Sequence, residues 1–356
     1  MGQADVWQTL TQANKPVVLY GMGNGADKIL AEMARLGIPL SGVFASDDFV
    51  RGQSFHGFPV EPLSSLEKRF PDCIILLAFG THREEILRRI ETLAGRHELY
   101  APDVPVADGE LFDHAFAERH AGELREACSL LADEFSRFVF RSVVEYKLSG
   151  RIGPLLSADT SRTGDLQTLF RFSTREAYFD GGAYNGDTIR EFLTLTGGRF
   201  SSVYAAEPDP KSYRKLERFV RESNLSPVFL YPAALWKEEA LLPFSARAAR
   251  GSRAGKTASR AVPAYSIDHL LEGRTLTYLK LDVEGAEKEA LLGAAKTIRA
   301  FRPKLSIAAY HKSEDLFALP LLIHRLEPSY RIFLRRHRCL PAWDVILYAA
   351  PPAGRF

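Results

Sequence analysis

The segment Tyr178-Phe179-Asp180-Gly181-Gly182-Ala183-Tyr184-Asn185-Gly186-Asp187-Thr188 constrains this chain more than any other. An apolar run ends in a glycine-rich turn and passes into a helical pattern from near Thr188. The sequence therefore demands a buried strand, a tight turn and a helix in succession. Glycines in such a turn let a ligand reach the backbone, because the Cβ that would block it is missing, and the helix start offers unpaired N–H groups to a carboxylate. Asp180, at the strand's end, is placed to accept a hydrogen bond from a ligand's ammonium. The next strand, Ser202 to Ala206, runs into Glu207-Pro208-Asp209. That acid follows the turn by about 20 residues, the interval at which a carboxylate clamps two ribose hydroxyls. The pattern points to a nucleoside ligand held by Asp180, Gly181, Gly182, Ala183, Tyr184, Asn185, Gly186, Asp187, Glu207 and Pro208.

Further strands are expected at Val228–Tyr231, Leu276–Leu281 and Leu305–Ala309, with helices between most of them. After a helix around Leu316 to Leu326, the runs Tyr330–Leu334 and Asp344–Tyr348 have no helix between them and predict a closing antiparallel hairpin. The N-terminal part repeats the strand-helix alternation with about four strands: Val17–Tyr20, Gly42–Ala45, Cys73–Phe79 and Glu98–Tyr100. Such alternation implies a parallel sheet. Between them, from Glu110 to Leu148, apolar residues recur at helical intervals and no strand signal is present. The expected architecture is α/β with two Rossmann-like domains: residues 1–106, a helical connector over 107–176, and the larger domain over 177–356.

Composition narrows the class further. At 356 residues the chain has room for two cores, and no apolar run approaches the ~20 residues needed to cross a bilayer. Residues Met1 to Pro16 lack the basic start and apolar stretch of a secretory signal, so a cytoplasmic location is expected. Cys73, Cys128 and Cys339 lie far apart and suggest neither a disulfide framework nor a thiolate metal site. A net charge of +2 is too small to argue for nucleic acid, and none is expected as a partner.

A second acidic cluster, Asp282-Val283-Glu284-Gly285-Ala286-Glu287, follows the strand ending at Leu281, and His311 follows the next one. These residues belong to the carboxyl edge, where open parallel sheets bind ligands. Together, the run Asp180 to Asp187 and the run Asp282 to Glu287, with Leu291 and Gly293 beyond, resemble the FkbM-type methyltransferases over roughly residues 177 to 350. The resemblance implies a seven-stranded class I methyltransferase sheet whose final hairpin supplies the antiparallel strand. It also implies S-adenosyl-L-methionine as cofactor and methylation of a hydroxyl on a sugar or natural-product-like acceptor, a small molecule or glycan.

Methyl transfer to a hydroxyl is an in-line displacement that needs alignment first and proton removal second. Asp282, Glu284 and His311 are the candidate catalytic residues, with His311 or Asp282 as the base. These three are also of a type that holds divalent ions, but donors of unknown geometry do not make a site, and no metal is expected. Arg247, Arg250, Arg253, Lys256 and Arg260 form an acid-free basic stretch suited to a loop beside the cleft. In the first domain, Gly21, Gly23 and Ala26 complete a dinucleotide fingerprint, with Asp47 or Asp48 after the next strand. A nicotinamide-dependent oxidoreductase is thus the first rival reading, and a non-catalytic binding module the second. The first domain resembles the small Rossmann-like accessory domains of sugar-modifying enzymes, with Gly57, Pro59 and Val60 in a loop.

Overall fold

The computed structural model of the protein describes residues 4–107, 109–244 and 260–352. The N-terminal sheet has six strands, β1 (Val17–Tyr20), β2 (Leu40–Ala45), β3 (Ser54–Phe55), β4 (Phe58–Pro62), β5 (Ile74–Leu77) and β6 (Glu98–Tyr100). They lie in the order β3-β4-β2-β1-β5-β6, all parallel except for the β3–β4 hairpin. Strands β1 and β5 are buried along their whole length, as expected where helices cover both faces of a parallel sheet. The helix Asn24–Leu36 buries Ala26, Ile29 and Met33 and stops at Gly37, which takes the left-handed conformation (φ 71°). Two strands exceed the expected four. Gly57 lies in the hairpin turn, but Pro59 and Val60, expected in a loop, belong to β4. Strand β4 pairs with β2 through Val60 and Glu61, a non-local pairing that no local pattern announces.

The connector folds as expected into helices His114–Arg119, Ala121–Leu130 and Glu134–Ser149. Asp133 caps the long helix by accepting from Ser136 N at 2.6 Å, and Gly150 ends it at φ 66°. The small sheet β11 (Ala234–Leu235), β12 (Ala240–Phe244) and β13 (Arg260–Tyr265) stands apart from the main one, which contains β7 (Asp159–Thr160), β8 (Ala177–Gly181), β9 (Ser202–Ala206) and β10 (Val228–Tyr231). Strands β14 (Tyr278–Leu281), β15 (Lys304–Ala308), β16 (Arg331–His337) and β17 (Val345–Ala350) complete the main sheet. Its order is β10-β9-β8-β14-β15-β17-β16-β7, with β17 antiparallel to both neighbours. The seven strands implied by the resemblance are all present. The eighth, β7, joins through Arg336↔Asp159 and His337↔Thr160. Arg247, Arg250, Arg253 and Lys256 lie outside the described residues, and Arg260 opens β13.

The two sheets are not independent bodies. Val18 and Ile75 of the first and Leu279 and Leu347 of the second share one apolar cluster, bridged by Val139, Val143 and Leu155 of the connector region. Thr81 and Leu340 exchange backbone hydrogen bonds at 2.8 and 3.0 Å, and the segment after β6 bonds to the large domain through Ala107 N to His311 O at 3.0 Å. Among the described residues, no helix is long and apolar enough to cross a membrane.

Candidate active site

In the main sheet the chain order runs one way through β8, β9 and β10 and the other way through β14 and β15. The topological switch point therefore falls between β8 and β14, and ligands bind such sheets in the crevice beyond the carboxyl ends there. The glycine turn and the Asp282 segment meet at this place. Gly182, at φ +77°, lies so close to the neighbouring loop that a Cβ would come within 1.9 Å of Asp282 O. A Cβ on Gly181 would meet Leu235 and Leu281 at 2.7 Å each, and one on Gly186 would meet Phe219 at 2.3 Å. These glycines are thus demanded by protein neighbours, a different reason from the clearance for a ligand expected from the sequence. Ala183 is fully buried, and its N–H and that of Gly182 both donate to Ala206 O. Tyr184, in the left-handed region, projects outward at 40% exposure.

Asp180 is wholly buried, with Thr188 Oγ1 donating to Oδ2 and Lys280 Nζ 3.1 Å from Oδ1, so the carboxylate braces the turn from below. Lys280 also donates to Gly181 O at 3.2 Å and Gly182 O at 2.9 Å. Burial works against the ammonium of Lys280, but Asp180 and then Asp282 outweigh it and raise its pKa. Sequence reasoning passed over Lys280, although a lysine inside the apolar run Tyr278 to Leu281 is itself a signal that a buried partner waits. The helix begins at Asp187, one residue before the expected start, and Asp187 Oδ1 accepts from Thr188 N at 2.9 Å. That bond takes one of the N–H groups at the helix end expected to take a ligand carboxylate.

Glu207 accepts from Tyr184 N and Asp209 N, one bond to each oxygen, both 2.8 Å. Burial pushes its pKa up, and these N–H bonds oppose the shift. A carboxylate has about four acceptor positions, so each oxygen of Glu207 retains one for a hydroxyl. Pro208 follows it and leads to Asp209, which caps the helix Pro210–Glu222. Asn185 Oδ1 is buried with no hydrogen-bond partner among the described residues, which suits an N–H or O–H of a ligand. The turn, the half-satisfied Glu207 and the acceptor on Asn185 together fit a nucleoside bearing an amino-acid chain.

Beyond β14 and β15, the side chains of Asp282 and Glu284 are 37% and 56% exposed and that of His311 only 1%. His311 Nδ1 is 3.0 Å from Glu287 Oε1, and its Nε2 is 3.4 Å from Asp282 and 3.6 Å from Glu284. Burial opposes the charge of His311, but Glu287 and then Asp282 and Glu284 overcome it, and the pKa is pushed up to about 10. At neutral pH this side chain is an imidazolium with no lone pair for a proton. That corrects its expected role as a base and leaves Asp282 as the accessible candidate. Asp282 accepts from the phenol of Tyr310 at 3.3 Å, and burial raises the pKa of Tyr310 well above its usual value, so the phenol stays a donor. Burial is also the largest effect on Glu284, raising its pKa. Asp282, Glu287 and His311 offer ligand atoms within 4.8 Å of one another, a metal-type set containing Glu287 where the sequence suggested Glu284. Protonated His311 itself supplies the positive charge among those carboxylates. Glu287 and Tyr310 were missed, though Glu287 lies inside the acidic motif and Tyr310 beside His311.

The N-terminal fingerprint has the turn, but aromatic rings pack over its switch point. Gly21 and Gly23 both take φ 107°, and Asp47 and Asp48 follow β2, but a Cβ on Gly21 would meet the Phe79 ring at 2.5 Å and one on Gly80 the Trp343 ring at 2.2 Å. Phe79 and Trp343 pack over the switch point between β1 and β5, where they line a cavity of about 10 Å³ with Gly25, Leu77, Pro102 and Pro341.

A parallel sheet with one reversed strand, a glycine turn after β8, an acid after β9 and a topological switch point between β8 and β14 are the features of a Rossmann-like methyltransferase. Residues 180–331 match the family model of the methyltransferase FkbM domain. Over those residues the chain is similar to that family, which supports an S-adenosylmethionine-dependent methyltransferase. The fold of nearly the whole chain recurs in the crystal structure of methyltransferase FkbM from Methylobacillus flagellatus KT, at 20% identity and TM-score 0.73, with 94% of this chain and 90% of that one covered. An rRNA methylase from Streptococcus thermophilus matches at 11% identity and TM-score 0.36, covering 53% of this chain and 93% of its own. A putative methyltransferase from Streptococcus mutans in complex with SAH matches at 12% identity and TM-score 0.34, covering 54% and 99%. No curated protein sequence matches this chain.

Proposed function

We propose that the protein methylates a hydroxyl group on a sugar or natural-product-like acceptor, a small molecule or glycan, at the edge formed by Asp282, Glu284 and Tyr310. The observation that carries this reading is the contact between the Gly182 turn and the Asp282 loop, which sets an accessible carboxylate beside the cofactor turn. When bound, S-adenosylmethionine supplies an electrophilic methyl group on sulfonium. Glu207 accepts the ribose hydroxyls at its free lone pairs while its other bonds fix the turn, and Asn185 Oδ1 accepts a further ligand donor. An Asp282 oxygen accepts the acceptor's hydroxyl proton as that oxygen becomes nucleophilic, and the phenol of Tyr310 orients the carboxylate. His311 and Glu287 hold the loop from beneath and take no proton from the acceptor.

The test combines calorimetric titration with S-adenosylhomocysteine and transfer of labelled methyl from S-adenosylmethionine to a panel of sugar and phenolic acceptors. The expected result is saturable binding, label on oxygen, and a loss of roughly 10²–10⁴ in kcat for Asp282→Asn with S-adenosylhomocysteine affinity unchanged. Label recovered only on nitrogen or carbon, or full activity in Asp282→Asn, overturns the reading. Binding without transfer to any acceptor favours a non-catalytic module.

A further inference from the structure

Arg162 is a cation at the carboxyl edge whose hydrogen-bonding capacity the protein does not use up. It opens the helix Arg162–Leu169 two residues after β7, a strand that runs parallel to β16 and ends at the same edge as Gly182 and Asp282. That helix and Asp187–Thr196 cover one face of the sheet, where Leu166, Ile189 and Phe192 pack with Tyr178, Tyr278 and Tyr348. Arg162 Nε lies 2.9 and 3.0 Å from the two oxygens of Glu191, which fixes the guanidinium plane against the helix that follows the glycine turn. Nη1 and Nη2 have no hydrogen-bond partner among the described residues, and the side chain remains 27% exposed. A guanidinium has five N–H donors, so a forked pair remains for a planar anion.

Register places the anion. Asp180, Lys280, Ser306 and Tyr348 lie side by side across β8, β14, β15 and β17. Glu191 and Asp344 are the carboxylates that sustain the charge of Arg162 against its burial, beside the uncharged phenols of Tyr348 and Tyr278, and its field also reaches Lys280 under the turn. The guanidinium therefore stands on the β14–β17 side, whereas Glu207 stands on β9. Neighbouring strands are ~4.8 Å apart, so an amino-acid chain extending from a ribose at β9 past β8 travels about 10 Å toward Arg162. At the other end of the turn, Asp187 places its own carboxylate at the helix start and accepts from Thr188 N.

We propose that the Nη1/Nη2 fork of Arg162 binds the α-carboxylate of the methionine portion of S-adenosylmethionine and so sets the direction in which the methyl group faces Asp282. This rests on the reading of the crevice as the cofactor site. The experiment is calorimetric titration of the full chain, wild type, Arg162→Gln and Arg162→Lys, with S-adenosylhomocysteine and with 5′-methylthioadenosine, which keeps the nucleoside and thioether but lacks the carboxylate. Arg162→Gln should bind S-adenosylhomocysteine about 10- to 100-fold more weakly, with methylthioadenosine affinity within about twofold of wild type. Arg162→Lys, which keeps the charge without the fork, should show a smaller loss of the same selectivity, and it carries the test if the glutamine variant does not fold. Equal losses for both ligands would assign Arg162 to the fold, and an unchanged S-adenosylhomocysteine affinity would assign the fork to the acceptor; either outcome overturns the proposal. A wild-type protein that binds neither ligand refutes the cofactor site itself and, with it, this inference.

Discussion

Lys280 and Asp180 occupy paired positions on β14 and β8, and each is almost inaccessible to water. Breaking such a pair from one side leaves a charge buried without a counter-charge, which costs roughly 3–5 kcal/mol. Lys280→Met should lower the urea midpoint accordingly, and adding Asp180→Asn should recover a substantial part of the loss. An equal loss in the double variant would mean that the lysine acts through packing alone. His311 gives the residue scale a pH signature. Its pKa rises from 6.5 to about 10 on folding, so the stability it contributes is fully present below about 6.5 and disappears as pH rises through about 10. Asp315, pushed up to about 7 first by burial and then by Glu287, works in the same direction at lower pH, its contribution lost between about 3.8 and 7. Glu287 has the opposite sign, and its contribution is lost as pH falls below its usual 4.5. Unfolding free energy measured from pH 6.5 to 10 should fall in the wild type and fall much less steeply in His311→Gln.

At the scale of elements, the turn after β8 and the loop after β14 form one unit. Gly182→Ala places a Cβ 1.9 Å from Asp282 O at a φ of +77°, so backbone has to move. We expect a loss of at least about 2 kcal/mol, with the damage extending to Asp282, seen as a lower melting temperature together with a lower kcat. A variant that keeps its melting temperature and loses only cofactor affinity would restore the ligand-clearance explanation of this glycine. The elements themselves were largely legible. Strand β9, the hairpin β16–β17 and the connector helices fall where periodicity placed them, because each has enough apolar residues at one spacing to set its own register. Strands β3, β4 and β7 were not, since two to five residues with no distinctive pattern become strands only when a partner edge is present.

For the whole molecule, the connection between the two sheets is the decisive feature. Trp343, on the loop joining β16 to β17, lies over Gly80 at the carboxyl edge of the first sheet, next to the Thr81–Leu340 hydrogen bonds. Because this ring is only partly buried, Trp343→Ala should cost less than the roughly 3–5 kcal/mol of a fully enclosed tryptophan. It should also loosen the first domain selectively, splitting a single calorimetric transition into two. One sharp transition at an unchanged temperature would show that the rest of the shared core suffices to hold the domains together.

The sequence by itself determined the α/β alternation, the glycine turn, the acids that follow β9 and β14, and hence the class of chemistry, because each is encoded within a dozen neighbouring residues. It also contained the N-terminal fingerprint, but local spacing cannot report what fills a crevice. Only the tertiary structure decided that Phe79 and Trp343 pack over that crevice, that Asp180 turns inward to Lys280, and that Glu287 makes His311 an imidazolium. Burial and charge are set by groups brought together from distant parts of the chain, so the role of an acid or a histidine is fixed only when its neighbours arrive.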